Sequence, residues 1–231
     1  MLAVDILNFS KSIFKRKSIL VLGDSHASVF DLLRMHLSIL SYQIFVKSVG
    51  GATASGLENP NSKTRSLTIF NKAFSDKQPD IVILQLGEVD TGFVIWFRAE
   101  KYNVPVADMM DKALINYQKL IEEYNQKAKV VVVSAPLPTI KDGQSWGEIA
   151  NARKDIVTSQ VERTNLTVEF NLAIQKYCLK QNISYINLDA ECRNEQGLIK
   201  EEYLNSDPND HHYEQKKYCN LLSNHLNKEL E

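Results

Sequence analysis

The stretch Ser18-Ile-Leu-Val-Leu-Gly-Asp-Ser-His26 decides the fold of this chain, because a strand, a turn and the start of a helix follow one another within it. The apolar run 19–22 predicts a buried strand, and Gly23 and Asp24 favour a turn. Helical periodicity follows. This order places the Ser25 hydroxyl at the carboxyl end of a strand and near a helix start. Open α/β sheets bind ligands at such strand ends, and backbone N–H groups at helix starts stabilise negative charge.

Strand-like and helix-like segments alternate outward from this stretch. Five such alternations are typical of βαβ units with helices on both faces of a sheet. The sequence therefore predicts a three-layer α/β/α, flavodoxin-like fold with a five-stranded, mostly parallel sheet. The predicted strands are residues 19–22, 42–49, 80–87, 129–134 and 183–188, and the predicted helices are residues 29–40, 65–74, 109–124, 164–181 and 213–230.

The domain organisation follows from length and patterning. The 231 residues contain no repeat, low-complexity tract or Gly/Ser linker, so we assign residues 18–231 to a single domain. Residues 1–17 form a predicted N-terminal helical extension, because apolar positions recur there at helical spacing before a basic end. A helix packed on the domain is expected, and a peripheral membrane helix is the alternative. The order of its charges does not fit a secretory signal.

Composition narrows the classes of partner. The net charge is −1, with 44% hydrophobic and 24% charged residues. We therefore expect neither a nucleic-acid partner nor an integral membrane segment. The three cysteines lack metal-ligand spacing and predict a reducing, cytoplasmic location. The oligomeric state is not predicted.

Four polar segments are predicted to converge on one edge of the sheet, and they contain the residue types that a serine nucleophile needs. Such a serine requires a base, a group that orients the base, and N–H donors for the oxyanion. The segments are residues 23–25, 50–53, 87–90 and 207–212.

These segments resemble the sequence blocks of the SGNH (GDSL-like) hydrolase superfamily. Residues 23–25 are similar to its first block, residues 49–54 to its second, residues 86–90 to its third and residues 207–212 to its fifth. The resemblance implies the SGNH fold and ester or acyl hydrolysis through an acyl-enzyme, with neither cofactor nor metal. The expected substrate is a small molecule or carbohydrate ester, such as an acetylated sugar. Acetyl transfer to a sugar hydroxyl is a close variant.

The resemblance implies Ser25 as the nucleophile and the backbone N–H groups of Ser25 and Gly51 as the oxyanion hole. The third block departs from the family pattern, because Val89 stands where the family carries asparagine. One side-chain donor to the oxyanion is therefore missing, and such a donor contributes about 3–4 kcal/mol in other enzymes. Glu88 or Arg98 are candidates to compensate for it.

The resemblance implies His212 as the base, with His211 as the alternate. No aspartate stands three residues before either histidine. Asp207 is the preferred orienting group and Asp210 the alternate, because a residue two positions before a histidine rarely reaches its Nδ1. The competing interpretation of this segment is a helix cap. Adjacent histidines lack chelating spacing, so no metal site is predicted.

Two long connections, residues 91–106 and 135–163, leave carboxyl strand ends, where long loops are often functional. Asp90 is also expected to support its loop, Asp24 to cap the first turn, and His26 to begin the first helix. The candidate substrate-binding residues are Asp24, Glu88, Asp90, Trp96 and Arg98.

Two other functions compete with hydrolysis. The first is a glycan-binding module without turnover, which would account for the missing asparagine at position 89. Such a module would bind the glycan through Trp96, Arg98, Arg153 and Arg163. A nucleotide or phosphate binder would use the glycines at 50 and 51, but the chain has neither a P-loop nor a Gly-x-Gly-x-x-Gly pattern.

Overall fold

The computed structural model describes residues 16–35, 42–143 and 158–230. The predicted extension up to residue 15, and the glycan-binding candidate Arg153, lie outside the described residues. Five parallel strands form one sheet in the order β2-β1-β3-β4-β5. The strands are β1 Lys17–Gly23, β2 Tyr42–Ser48, β3 Ile81–Gln85, β4 Lys129–Val133 and β5 Ser184–Ile186.

Helices cover both faces of this sheet, which confirms the predicted three-layer α/β/α fold. None of the described helices is long and apolar enough to cross a membrane. The α-helices are α1 Ser66–Lys77, α2 Ile95–Tyr102, α3 Val106–Asn125, α4 Gln160–Lys180, α5 Asp189–Cys192 and α6 Gln215–Leu230; 3₁₀ segments run over Ser25–Met35, Ala54–Gly56 and Glu201–Tyr203.

The strand β1 shows why the sheet is buried on both faces. Ile19 and Val21 pack into the layer of the first 3₁₀ segment and α6, whereas Leu20 and Leu22 pack into the layer of α1, α3 and α4. All four side chains are at most 1% exposed. Burial of each contributes about 1.5–3 kcal/mol, so the central strands need apolar side chains at every position.

The connection predicted over residues 91–106 is helical instead. A π-helical turn, Asp90–Val94, leads directly into α2. Ile95 and Ala99 are buried one helical turn apart on the inner face of α2. Because only these two positions mark the apolar face, the helical periodicity is too short to identify from sequence alone.

The strand order reverses direction between β1 and β3, the position at which parallel sheets form their binding crevice. The turn that carries Ser25 follows β1, and residues 87–90 follow β3. The fold therefore places these two segments side by side at the carboxyl edge of the sheet.

Candidate active site

Ser25 is the first residue of the 3₁₀ segment that follows β1 and is half-buried. The turn before it is shaped by Asp24, which is fully buried and whose Oδ1 accepts the backbone N–H of His26 at 2.9 Å. The same oxygen lies 3.1 Å from Nδ1 of His26. Asp24 therefore holds the turn that presents Ser25.

His212 is paired with Asp210. Its Nδ1 lies 2.6 Å from Asp210 Oδ1, which also accepts the backbone N–H of His212 at 2.9 Å. The second oxygen of Asp210 accepts a hydrogen bond from Asn205 Nδ2 at 2.8 Å. Partial burial opposes the charge on Asp210, but the hydrogen bonds from His212 and the proximity of His211 lower the pKa of Asp210 below its ordinary value. Asp210 is therefore a fixed, ionised partner of the imidazole.

Asp207, the carboxylate preferred on sequence grounds, is not at the imidazole. It is exposed, and its Oδ1 accepts the backbone N–H of Asn209 at 2.9 Å and the Asn209 side-chain amide at 3.1 Å. The preference assumed that a carboxylate two residues before a histidine does not reach its Nδ1. The tight turn at Asp210 folds the ring of His212 back onto the carboxylate and makes that contact.

The histidine segment is held by the chain that follows β4. Leu137 donates its backbone N–H to Tyr213 Oη at 2.6 Å, and Thr139 Oγ1 donates to the carbonyl of His211 at 2.5 Å. Tyr213 also forms an antiparallel bridge with Leu204. These contacts position both histidines from outside their own loop.

His26 joins these histidines, although its sequence position indicated only the start of a helix. Its ring centroid lies 4.8 Å from that of His212 and 5.4 Å from that of His211. The rings of His211 and His212 are 4.2 Å apart. His26 and Asn205 are the residues at this site that sequence reasoning missed. The repeated spacing Asp-x-His, at 24–26 and 210–212, is the signal that identifies His26.

Asp90 links the loop after β3 to the loop after β2, which carries Gly51. It is fully buried, and its two oxygens accept the backbone N–H groups of Ala54 at 2.7 Å and Ser55 at 3.0 Å. Burial raises the pKa of Asp90 to about 6, although hydrogen bonds from Ser55 and Ala54 act in the opposite direction. Asp90 therefore supports the loop with both of its carboxylate oxygens. Gly51 itself is exposed, with φ of 71°.

The remaining candidates make contacts within the protein. Trp96 Nε1 donates to the carbonyl of Thr91 at 2.6 Å, and Arg98 Nη1 donates to Ser55 Oγ at 3.0 Å. Glu88 and Val89 are buried, at 2% and 9% exposure.

Arg163, a candidate for glycan binding, is also buried and donates to the carbonyl of Ile140 at 2.7 Å. This bond connects α4 to the chain that follows β4, so the Arg163 side chain has a structural role.

Comparisons with known proteins agree with this architecture. No family model and no curated relative matches the chain. A GDSL-like lipase from Bacteroides thetaiotaomicron VPI-5482 has 14% identity and a TM-score of 0.62, over 92% of this chain and 86% of the lipase. A carbohydrate acetylesterase from Sinorhizobium meliloti has 15% identity and a TM-score of 0.59, over 92% and 99% of the two chains. An acetyl xylan esterase has 13% identity and a TM-score of 0.57, over 93% and 100%. The chain therefore has the fold of the SGNH (GDSL-like) hydrolases, the superfamily that its sequence blocks resemble.

Proposed function

We propose that this protein is a serine-dependent ester or acyl hydrolase in which Ser25 is the nucleophile, His212 the base and Asp210 the orienting carboxylate. The pairing of His212 Nδ1 with Asp210 at 2.6 Å, at the sheet edge where Ser25 begins its helix, is the observation that supports it. A carboxylate at Nδ1 holds the imidazole in the tautomer whose lone pair is on Nε2.

The availability of this lone pair also supports the proposal. Nε2 of His212 is buried and has no hydrogen-bond partner among the described residues. In the proposed reaction Nε2 takes the Ser25 proton while Oγ attacks the acyl carbon. The carbonyl electrons move to the oxygen, which the N–H groups of Ser25 and Gly51 stabilise. Collapse of this intermediate expels the alcohol, which receives the proton from His212. Water then attacks the acyl-enzyme in the same way and releases the acid.

An acetylated carbohydrate is the substrate class that we propose. The acetylesterase and the acetyl xylan esterase that share the fold are named for such substrates. Acetyl transfer to a sugar hydroxyl would use the same residues, with the sugar in place of the second water.

The decisive experiment is fluorophosphonate labelling of the full chain with peptide mapping, together with release of acetate from acetylated xylo-oligosaccharides. Ser25→Ala is compared with Ser28→Ala, which changes an exposed serine of the same 3₁₀ segment. We expect labelling at Ser25 alone and loss of acetate release only in Ser25→Ala. Unchanged turnover in a folded Ser25→Ala variant would exclude the proposal.

A glycan-binding module without turnover is the second candidate, because Val89 presents a buried apolar side chain where hydrolases of this family present an amide. This function predicts calorimetric binding of an acetylated oligosaccharide whose mass stays unchanged after prolonged incubation, without labelling of Ser25.

A further inference from the structure

Three imidazoles from distant parts of the chain meet at the carboxyl edge of the sheet. His26 follows β1, whereas His211 and His212 precede α6. One ring nitrogen of each lies within 4.8 Å of the corresponding atoms of the other two. Because His26 is 4% exposed and the other two are half-buried, the cluster is enclosed on one side and open on the other.

The motif Asp-x-His occurs twice in this cluster, and both copies adopt the same geometry. Asp24 Oδ1 accepts the backbone N–H of His26 at 2.9 Å and lies 3.1 Å from its Nδ1. Asp210 Oδ1 accepts the backbone N–H of His212 at 2.9 Å and lies 2.6 Å from its Nδ1. A carboxylate at Nδ1 leaves Nε2 as the ligand atom and raises its basicity, as in the carboxylate–histidine–zinc arrangement of metal sites.

Two buried atoms of the Asp-x-His motifs lack hydrogen-bond partners among the described residues. They are Nε2 of His212 and Oδ2 of Asp24. A buried lone pair without a donor is unfavourable, and a cation held by the three imidazoles would satisfy Nε2 of His212.

From these observations we propose that His26, His211 and His212 form a binding site for a divalent transition metal of the zinc class. Three imidazoles with one open position suit Zn²⁺, whereas Ca²⁺ and Mg²⁺ require oxygen ligands. Tetrahedral Zn²⁺ with Zn–N bonds of about 2.0–2.1 Å needs nitrogen atoms roughly 3.3 Å apart. The ring nitrogens must therefore approach from their spread of up to 4.8 Å, and we expect the half-buried ring of His211 to make most of this movement, because Asp210 holds the ring of His212 at Nδ1.

Metal binding does not depend on the proposed hydrolysis. The lone pair of His212 Nε2 serves either the metal or the proton of Ser25, so bound Zn²⁺ is expected to slow any reaction at Ser25. Binding of the metal is therefore measured directly, and the Ser25→Ala variant separates the two proposals. It abolishes hydrolysis and leaves all three nitrogen ligands in place.

The test titrates the full chain, stripped of metal by a chelator, with Zn²⁺ by calorimetry and with Co²⁺ by visible absorption. We expect one equivalent to bind to the wild type and to Ser25→Ala. His26→Gln and His211→Gln are each expected to bind at least about tenfold more weakly. His225→Gln is the matched control, because His225 lies in α6 and pairs with Glu191 outside the cluster. Circular dichroism without metal verifies that each variant is folded.

Wild-type affinity in folded His26→Gln would overturn the proposal, and so would failure of the wild type to bind one equivalent. Zinc-edge X-ray absorption provides an independent measurement, for which three imidazole ligands are expected. A sulfur ligand would assign the metal to a cysteine and overturn the site. The described cysteines, Cys178, Cys192 and Cys219, are all buried.

Discussion

Asp210 reaches Nδ1 of His212 from only two positions earlier in the chain, at 2.6 Å. The contact is possible because the same oxygen accepts the His212 backbone N–H at 2.9 Å and closes a tight turn. Asp24 and His26 repeat this turn at the other end of the chain. The orientation of the proposed base is therefore encoded locally, within three residues.

Replacement of Asp210 by Asn is expected to lower kcat for an acetyl ester by about 10²- to 10⁴-fold. The amide no longer stabilises the imidazolium and permits the wrong tautomer of His212. Asp207→Asn is the control, because Asp207 is exposed and bonds only within its own turn. It should retain kcat within about twofold. Steady-state kinetics on both variants decide between the two carboxylates, and a larger loss in Asp207→Asn would reverse the assignment.

Replacement of Val89 by Asn is expected to raise kcat. The sequence resemblance matches Val89 to the asparagine that donates to the oxyanion in SGNH hydrolases, and removal of such a donor in other enzymes costs about 10²- to 10³-fold. We expect an increase of about tenfold, because the buried amide must also be accommodated. Val89→Ala, which adds no donor, should not raise kcat. Unchanged or reduced kcat in a folded Val89→Asn variant would place this position away from the oxyanion.

The sheet could be predicted from sequence because its strands are buried on both faces and are therefore continuous apolar runs, as at β3 and β4. The convergence of polar segments followed from the parallel topology alone. The choice of Asp210 over Asp207 as the proposed orienting carboxylate could not be predicted from sequence, because it depends on the backbone dihedrals of one turn. The repeated Asp-x-His spacing singles out His26, but its contact with His211 and His212 could not be predicted, since these residues lie about 185 positions away and only the folded chain brings them together.

Replacement of Gly87 by Ala is expected to destabilise the fold by about 2–4 kcal/mol. Gly87 has φ of 130°, and a Cβ atom there would lie 2.6 Å from Phe170 Cε1 and 3.0 Å from Ala135 Cβ. Gly143→Ala is the control for a positive φ without a steric clash, because Gly143 has φ of 71° with nothing within 4 Å of its Cβ position. That control should cost about 1 kcal/mol. Urea denaturation measures both, and equal losses would show that packing against Phe170 is not the cause.

Replacement of Asp189 by Asn is expected to stabilise the protein at neutral pH. Burial raises the pKa of Asp189 to about 6, although hydrogen bonding to Asn171 and the charge of Arg193 act in the opposite direction. Its Oδ1 accepts from Asn171 Nδ2 at 2.8 Å, and its Oδ2 is buried without a partner among the described residues. An asparagine keeps the first bond and carries no charge.

The sign of the pH dependence follows from this raised pKa. The contribution of Asp189 to stability is fully present well below its ordinary pKa of 3.8, where the carboxyl is protonated in both states, and is lost as the pH rises through about 6. The stability of Asp189→Asn relative to the wild type should therefore increase by as much as about 3 kcal/mol between about pH 3 and pH 8. Asp90 titrates in the same range but is present in both proteins, so its effect cancels in the difference. Urea denaturation at several pH values measures that difference. An advantage that does not change between pH 4 and pH 8 would mean that the gain comes from packing rather than from the removed charge.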